Sequence, residues 1–206
     1  MKKIALIVFL LAVCMAAARA QESRQDISLS GTALIEPFTA SSTDIQVHSN
    51  TAYGGLASYR FMLTPTSALE ANYGITYQNT IRYIGPEFQN GIPILTRTQE
   101  ISAAYVHSFV FKNWNPFVEA GPAGVIFLPI YNSGTKTLDA KQQTEIAGMY
   151  GGGFAYEVSP SFDIRVEYRG LVLKVPTFGV GSSNYNFTTN RWYNISVPTI
   201  GVAYHF

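Results

Sequence analysis

Apolar and polar residues alternate with a period of two along nearly the whole chain after Gln25, and this alternation leaves little choice of fold. Leu69, Ala71, Tyr73, Ile75 and Tyr77 interleave with Glu70, Asn72, Gly74 and Thr76. Further along, Phe162, Ile164, Val166 and Tyr168 interleave with Asp163, Arg165, Glu167 and Arg169. Successive side chains of an extended strand point to opposite faces, so each segment presents one apolar face and one polar or charged face. Wound as helices, the same residues would mix charges with aromatics on a single face. The pattern is that of an all-β chain.

Turn chemistry then divides the chain. Thr64-Pro-Thr-Ser67, Lys112-Asn-Trp-Asn115 and Ser159-Pro-Ser161 carry the Pro, Asn and Ser of tight turns between alternating runs. Longer polar, Gly-rich stretches at about Thr39–Ser49, Arg82–Leu95, Tyr131–Gln142 and Thr177–Asn190 read as loops. Eight strands result: about Asp26–Phe38, Asn50–Leu63, Ala68–Ile81, Thr96–Phe111, Pro116–Ile130, Gln143–Val158, Phe162–Pro176 and Arg191–Phe206. Short turns on one rim, long loops on the other and an even strand count put both ends of the sheet on the short-turn rim. The fold expected is an eight-stranded antiparallel up-and-down barrel.

Composition decides which solvent that barrel faces. Charged residues make up 13% of the chain, about half the usual share of a soluble domain, and aromatics 14%. No apolar run after Met15 approaches the length of a spanning helix. A low-charge, aromatic chain without such runs suits strands that face lipid. A soluble barrel is the fold alternative, and it would put apolar residues inward and polar ones outward.

Residues 1–20 differ from the rest. Lys2 and Lys3, the apolar stretch Ile4–Met15 and Ala18-Arg19-Ala20 form the three parts of an export signal, so 1–20 is read as a cleaved signal peptide and 21–206 as the barrel domain. Leu11-Ala-Val-Cys14 is a poor lipidation box because Val13 is bulky. Cys14 is the only cysteine, so the exported part would hold no disulfide. Loss of Lys2, Lys3 and Arg19 leaves 11 basic and 13 acidic residues, a formal charge of −2. That balance lacks the basic face a nucleic-acid partner requires.

Aromatics gather in two bands. Phe61, Phe109, Phe111, Trp114, Phe117, Tyr156, Phe162, Tyr204 and Phe206 fall near the short turns or the C-terminus. Tyr53, Tyr77, Tyr83, Phe127, Tyr131, Trp192 and Tyr193 fall near the long loops. Two such bands are expected at the two interfaces of a membrane barrel.

In the last segment, Thr199 is polar, Gly201 small, and Tyr204 and Phe206 aromatic. This pattern resembles the β-signal of bacterial outer-membrane proteins, which implies an edge strand presented to the barrel-assembly machinery. Pro116-Phe-Val-Glu-Ala-Gly121, Tyr150-Gly-Gly-Gly-Phe154 and Asp163-Ile-Arg-Val-Glu-Tyr-Arg169 resemble segments of the small outer-membrane barrels similar to the barrel of outer-membrane protein A. The resemblance implies a monomeric transmembrane barrel in the outer membrane, surrounded by its lipid. No wall-binding domain is expected after Phe206, so the anchoring role of larger relatives is not carried over.

Two prolines depart from the pattern. Pro122 and Pro198 each remove a ladder donor. With Tyr193, Ile195 and Val197 taken as outward, and then Ile200, Val202, Tyr204 and Phe206, a bulge is expected near Pro198.

Placing the apolar set outward turns Arg60, Glu70, Glu100, Glu119, Glu145, Glu157, Asp163, Arg165, Glu167 and Arg169 inward. An eight-stranded barrel is only wide enough for side chains to fill it, so charges held there must pair or be hydrated. A lumen salt-bridge network follows.

Catalytic residues are hard to find. His48, His107 and His205 have no Cys, His or carboxylate neighbour at ligand spacing, and His107 and Ser108 face opposite sides of a strand. Neither metal nor cofactor is expected. Gly151-Gly-Gly153 is flanked by strand and not followed by a helix, so it reads as relief of crowding inside a small barrel. The leading expectation is a non-enzymatic barrel with a structural or surface-interaction role. Thr177–Asn190 is its first candidate contact surface, with no external ligand named. A narrow channel for small solutes or ions is the alternative, and a lipid-modifying outer-membrane enzyme the second.

Overall fold

The computed structural model describes residues 25–40, 45–86, 88–130, 140–179, 181–182, 185–186 and 189–206. The signal segment 1–20 and Tyr131 lie outside them. Three tight reversals organise the rest, at Thr64–Ser67, between Ser108 and Trp114, and at Ser159–Phe162. Among β1 (Gln25–Leu34), β4 (Ala52–Thr64), β5 (Ser67–Gly85), β6 (Phe88–Ser108), β7 (Trp114–Pro129), β8 (Gln143–Ser159), β9 (Phe162–Lys174) and β12 (Trp192–His205), which form one antiparallel sheet, they join β4 to β5, β6 to β7 and β8 to β9. Each strand pairs with the next, β12 pairs with β1, and the ring of eight closes without an edge. Closure removes the unpaired donors and acceptors that hydrocarbon cannot satisfy.

The outer wall is apolar. Leu29, Ile146, Ile200 and Val202 are among its exposed side chains, and Ile146 is 81% exposed. Charged residues on the same strands point inward, which excludes the soluble-barrel arrangement.

Two expected loops are partly strand. Within Thr39–Ser49, β2 (Thr39–Ala40) and β3 (Gln46–Ser49) add a flap to the upper end of β5. Arg82–Leu95 is largely the paired continuation of β5 and β6, with a register shift between Tyr83 and Gly85. Spanning takes roughly nine to eleven residues, and these strands have 19 and 21, so their hairpin stands beyond the membrane. Cross-strand pairing keeps them extended. In the Thr177–Asn190 stretch, β10 (Gly181–Ser182) pairs with β11 (Tyr185–Asn186).

The parity switch expected at Pro198 is absent. Pairing of β12 with β9 runs unshifted from Trp192 to Tyr204. Tyr193, Ile195 and Val197 consequently share the inward face with Thr199 and Ala203, and all five are buried. The switch lies instead in β5, where the register shifts between Thr76 and Asn79 and Gln78 adopts φ 57°. Tyr77 and Gln78 both face outward, and the extra residue turns Asn79, Ile81 and Tyr83 inward. Asn50 supports this bulge: its amide donates to the Gln78 carbonyl at 3.3 Å and its Oδ1 accepts from the Thr80 amide at 2.5 Å.

The same parities correct the aromatic bands. Tyr83, Phe117, Phe127 and Tyr193 are buried inside the barrel. Phe117 and Phe127 lie on the face of β7 that carries Glu119, and no register shift separates them. The other described aromatics named for the bands remain on the outer wall or at the rims.

Candidate functional site: a lumen in two halves

The half of the lumen nearer the short turns is charged. Arg60 of β4 donates through Nε to Glu70 Oε2 at 2.6 Å across the adjacent β5 position. Arg165 of β9 reaches Asp26 Oδ2 at 3.2 Å and Glu70 Oε2 at 3.7 Å. Arg169, fully buried, pairs with Glu100, lies 3.4 Å from Glu167 and 3.6 Å from Glu119, and donates to Ser102 Oγ at 3.1 Å. Phe117 lies below the guanidiniums, with its ring centre 4.8 Å from Arg60 Cζ and 5.9 Å from that of Arg165. Burial of this many charges is tolerable only because each guanidinium has two or more polar or aromatic neighbours.

Gly151 makes room for this cluster. A Cβ there would come within 2.6 Å of Glu119 Oε1, so only glycine leaves the carboxylate its position. Asp163 accepts a hydrogen bond from His205 Nε2 at 2.8 Å, at the rim where β9 meets β12.

Seven of the ten charges expected inside therefore lie in two neighbouring ion-pair clusters, Arg60, Glu70 and Arg165 in one and Glu100, Glu119, Glu167 and Arg169 in the other. Asp163 joins the first through the His205 ring, which also lies 4.0 Å from Asp26. Glu145 sits apart, near the upper rim, where it accepts from Gln143 Nε2 at 2.5 Å. Glu157 faces inward at the lower rim, opposite Asp163 in register. Asp26 and His205 escaped the sequence reading. Asp26 lies at the start of the first strand, one residue after Gln25, and His205 ends the last, so ring closure alone brings them together.

The other half of the lumen is apolar. Ile81, Ile94, Val125, Phe127, Leu173 and Ile195 are fully buried there. Phe178, beyond β9, folds over this layer and is itself 0% exposed. Its ring meets those of Tyr83 and Phe127 edge-on, with centres 6.3 Å apart in each case. Gln143 Oε1 holds the segment by accepting from the Thr177 and Phe178 amides at 2.9 and 2.6 Å. Tyr83 donates its hydroxyl to the Pro176 carbonyl at 2.5 Å.

One carboxyl sits among these apolar groups. Glu36, just beyond β1, accepts from Ser49 Oγ at 2.5 Å and Asn79 Nδ2 at 2.7 Å. Burial pushes its pKa above the ordinary carboxylic value, and the two hydrogen bonds offset part of that rise.

The proposed assembly-signal residues lie on the closing strand. Thr199 is buried, Gly201 packs against the Ser30 backbone of β1, and Tyr204 lies between the rings of Phe162 and Phe206. Among the described residues, no cluster of His, Cys, Asp and Glu has the arrangement of a metal site.

A closed eight-stranded barrel with an apolar wall, a filled lumen and one short-turn rim defines the class of small transmembrane β-barrels. The chain belongs to the outer membrane protein beta-barrel domain family, whose model matches residues 5–206. It is a protein of the bacterial outer membrane. No curated protein matches it in sequence. Solved structures similar in fold include Neisserial surface protein A, at 15% identity and TM-score 0.59 over 89% of this chain and 98% of that one. Outer membrane protein OprG from Pseudomonas aeruginosa shows 11% identity and TM-score 0.61 over 90% and 97%. Outer membrane protein AlkL, solved in lipid bilayers, shows 13% identity and TM-score 0.53 over 91% and 92%. At these identities the likeness concerns the fold.

Proposed function

We propose that the protein is a closed, non-enzymatic outer-membrane barrel that acts as a membrane scaffold and presents its projecting strands as an external contact surface. The observation that carries this reading is the apolar closure of the upper lumen by Tyr83, Phe127, Ile195 and Phe178. Water and ions do not cross a packed hydrocarbon layer, and the charged network beneath it ties the strands together. The β5–β6 hairpin and its flap offer paired backbone well outside the membrane. In this reading residues 1–20 act as a cleaved export signal, and Thr199, Gly201, Tyr204 and Phe206 present the last strand to the assembly machinery.

Planar-bilayer recording tests the closed state. Insertions that stay at leak conductance support it, and stepwise conductance from the unaltered protein would overturn it. Lipid A mass spectra that change on overexpression would overturn its non-enzymatic part.

The lower lumen favours a second reading, as a gated narrow path. Both amide atoms of buried Asn72, Thr98 Oγ1 and both carboxyl oxygens of Glu119 lack hydrogen-bond partners among the described residues. Buried polar groups of this kind are normally satisfied by water. Such a path requires the upper layer to move. A conductance that appears only after Phe127 and Phe178 are both changed to Ala would support gating by that layer.

A further inference from the structure

The outer wall is not uniformly studded. Near the short-turn rim, a groove of about 510 Å³ crosses β4, β5, β6 and β7. Its floor is made of small residues: Ala71 and Ala103 are direct cross-strand partners, and Ala120 and Gly121 continue it onto β7. Phe61, Leu69 and Tyr105 form one wall, and Tyr59 closes one end. The rows follow from register, because Phe61, Leu69, Tyr105 and Ala120 pair in succession across the four strands.

Pro122 explains why the groove lies here. Pairing of β6 with β7 is present at Ser102–Ala123 and again at Tyr105–Ala120, but not between them. Pro122 has no N–H to give to this stretch. Opposite the gap the backbones approach closely: a Cβ on Gly121 would stand 1.9 Å from the Ala103 carbonyl oxygen. A larger residue at 121 would push β7 away, and larger residues at 71 and 103 would fill the depression.

The groove has a polar end and an apolar body. The Tyr59 hydroxyl donates to Gln25 Oε1 at 2.6 Å, and the Tyr105 hydroxyl lies 2.8 Å from Ser67 Oγ. Both hydroxyls therefore point to the short-turn rim, where headgroups lie, while their rings flank an alanine floor within the hydrocarbon. Ala71 is four residues beyond Ser67, on the order of 10 Å above that rim for a strand tilted as in small barrels.

We propose that this groove seats one acyl chain of a phospholipid from the periplasmic leaflet, with its headgroup beside Gln25 and Ser67. The lipid-facing wall is already an interface with hydrocarbon, and a depression in it must be filled by a chain, since neither water nor a void is favourable there. Proximity to the short-turn rim selects the phospholipid leaflet over the lipopolysaccharide leaflet on the far side.

The test uses the full barrel in nanodiscs containing phosphatidylethanolamine with a photoactivatable acyl chain. Adducts are mapped by mass spectrometry. The expected result is enrichment at Tyr59, Ala71, Ala103 and Tyr105 relative to the equally apolar wall at Ile164 and Val202. In Ala71→Leu/Ala103→Leu, which fills the floor, groove adducts should fall to the level of the Ile164 wall, itself unchanged, because the packing contacts that a depression gives a chain are lost. Ala103→Leu alone serves if the double variant does not fold. Even labelling around the unaltered barrel, or undiminished groove labelling in a folded filled variant, would overturn the proposal. Stronger labelling by a photoactivatable lipopolysaccharide than by the phospholipid would overturn its assignment to the periplasmic leaflet.

Discussion

The two halves of the lumen solve one packing problem by opposite means. Below, three guanidiniums, of Arg60, Arg165 and Arg169, share space with six carboxylates, of Asp26, Glu70, Glu100, Glu119, Asp163 and Glu167. Above, aliphatic and aromatic side chains interdigitate around Phe178. Removal of one charge leaves its partners buried and uncompensated, whereas removal of one ring leaves a cavity that neighbours can partly fill. The lower half therefore tolerates loss of a single partner less well than the upper half does.

The sharpest way to break this contrast is Arg169→Met, which leaves Glu100, Glu119 and Glu167 without their shared guanidinium. It should cost about 3–5 kcal/mol, read from urea-driven unfolding in lipid vesicles by Trp114 and Trp192 fluorescence. Phe127→Ala in the upper half should cost about 3 kcal/mol and leave the heat-modifiable barrel intact on gels. A loss larger than that of Arg169→Met would contradict this difference.

The paired variant Arg60→Met/Glu70→Leu sharpens the comparison. It should be at least about 1 kcal/mol more stable than either single change, because neither member of the pair is left behind and Arg165, which loses Glu70, keeps Asp26. A double variant as unstable as the sum of its parts would show that the pair is not the relevant unit.

The smallest effect concerns Glu36. A carboxyl whose pKa is raised on folding holds its proton more tightly in the folded state. Its contribution is therefore present below the ordinary carboxylic pKa and declines as pH climbs through the raised value. Exchange of the Phe178 amide should accelerate as pH rises through that window, after correction for intrinsic rates. Glu36→Gln keeps a carbonyl acceptor for Asn79 Nδ2, and its amide N–H can donate to the Ser49 hydroxyl oxygen. It should remove the dependence and stabilise the neutral-pH protein by on the order of 1 kcal/mol. A pH response that survives the substitution would assign it elsewhere.

Strand number, turn positions and the inward direction of charges were readable because period-two alternation and Pro, Asn and Ser turns are local properties. Phase was harder to read. Gln78 carries no residue-type signal for a bulge, so the inward turn of Ile81 and Tyr83 is visible only when β5 is paired with β6. The apolar upper lumen misled in the same way. Tyr193, Ile195 and Val197 look lipid-facing by composition, yet continuous pairing with β9 puts them inside. Hydrophobicity cannot distinguish lipid from a dry lumen, since both exclude water.

The sequence by itself determined an all-β, lipid-facing barrel of eight strands with charge turned inward, because each of those properties follows from alternation and composition. Only the tertiary structure decided which charges meet, where the lumen turns dry and where Phe178 closes it. Ring closure brings Asp26 beside His205, and a single extra residue in β5 reverses the face of everything above it. Such contacts depend on register between distant strands, which no local pattern encodes.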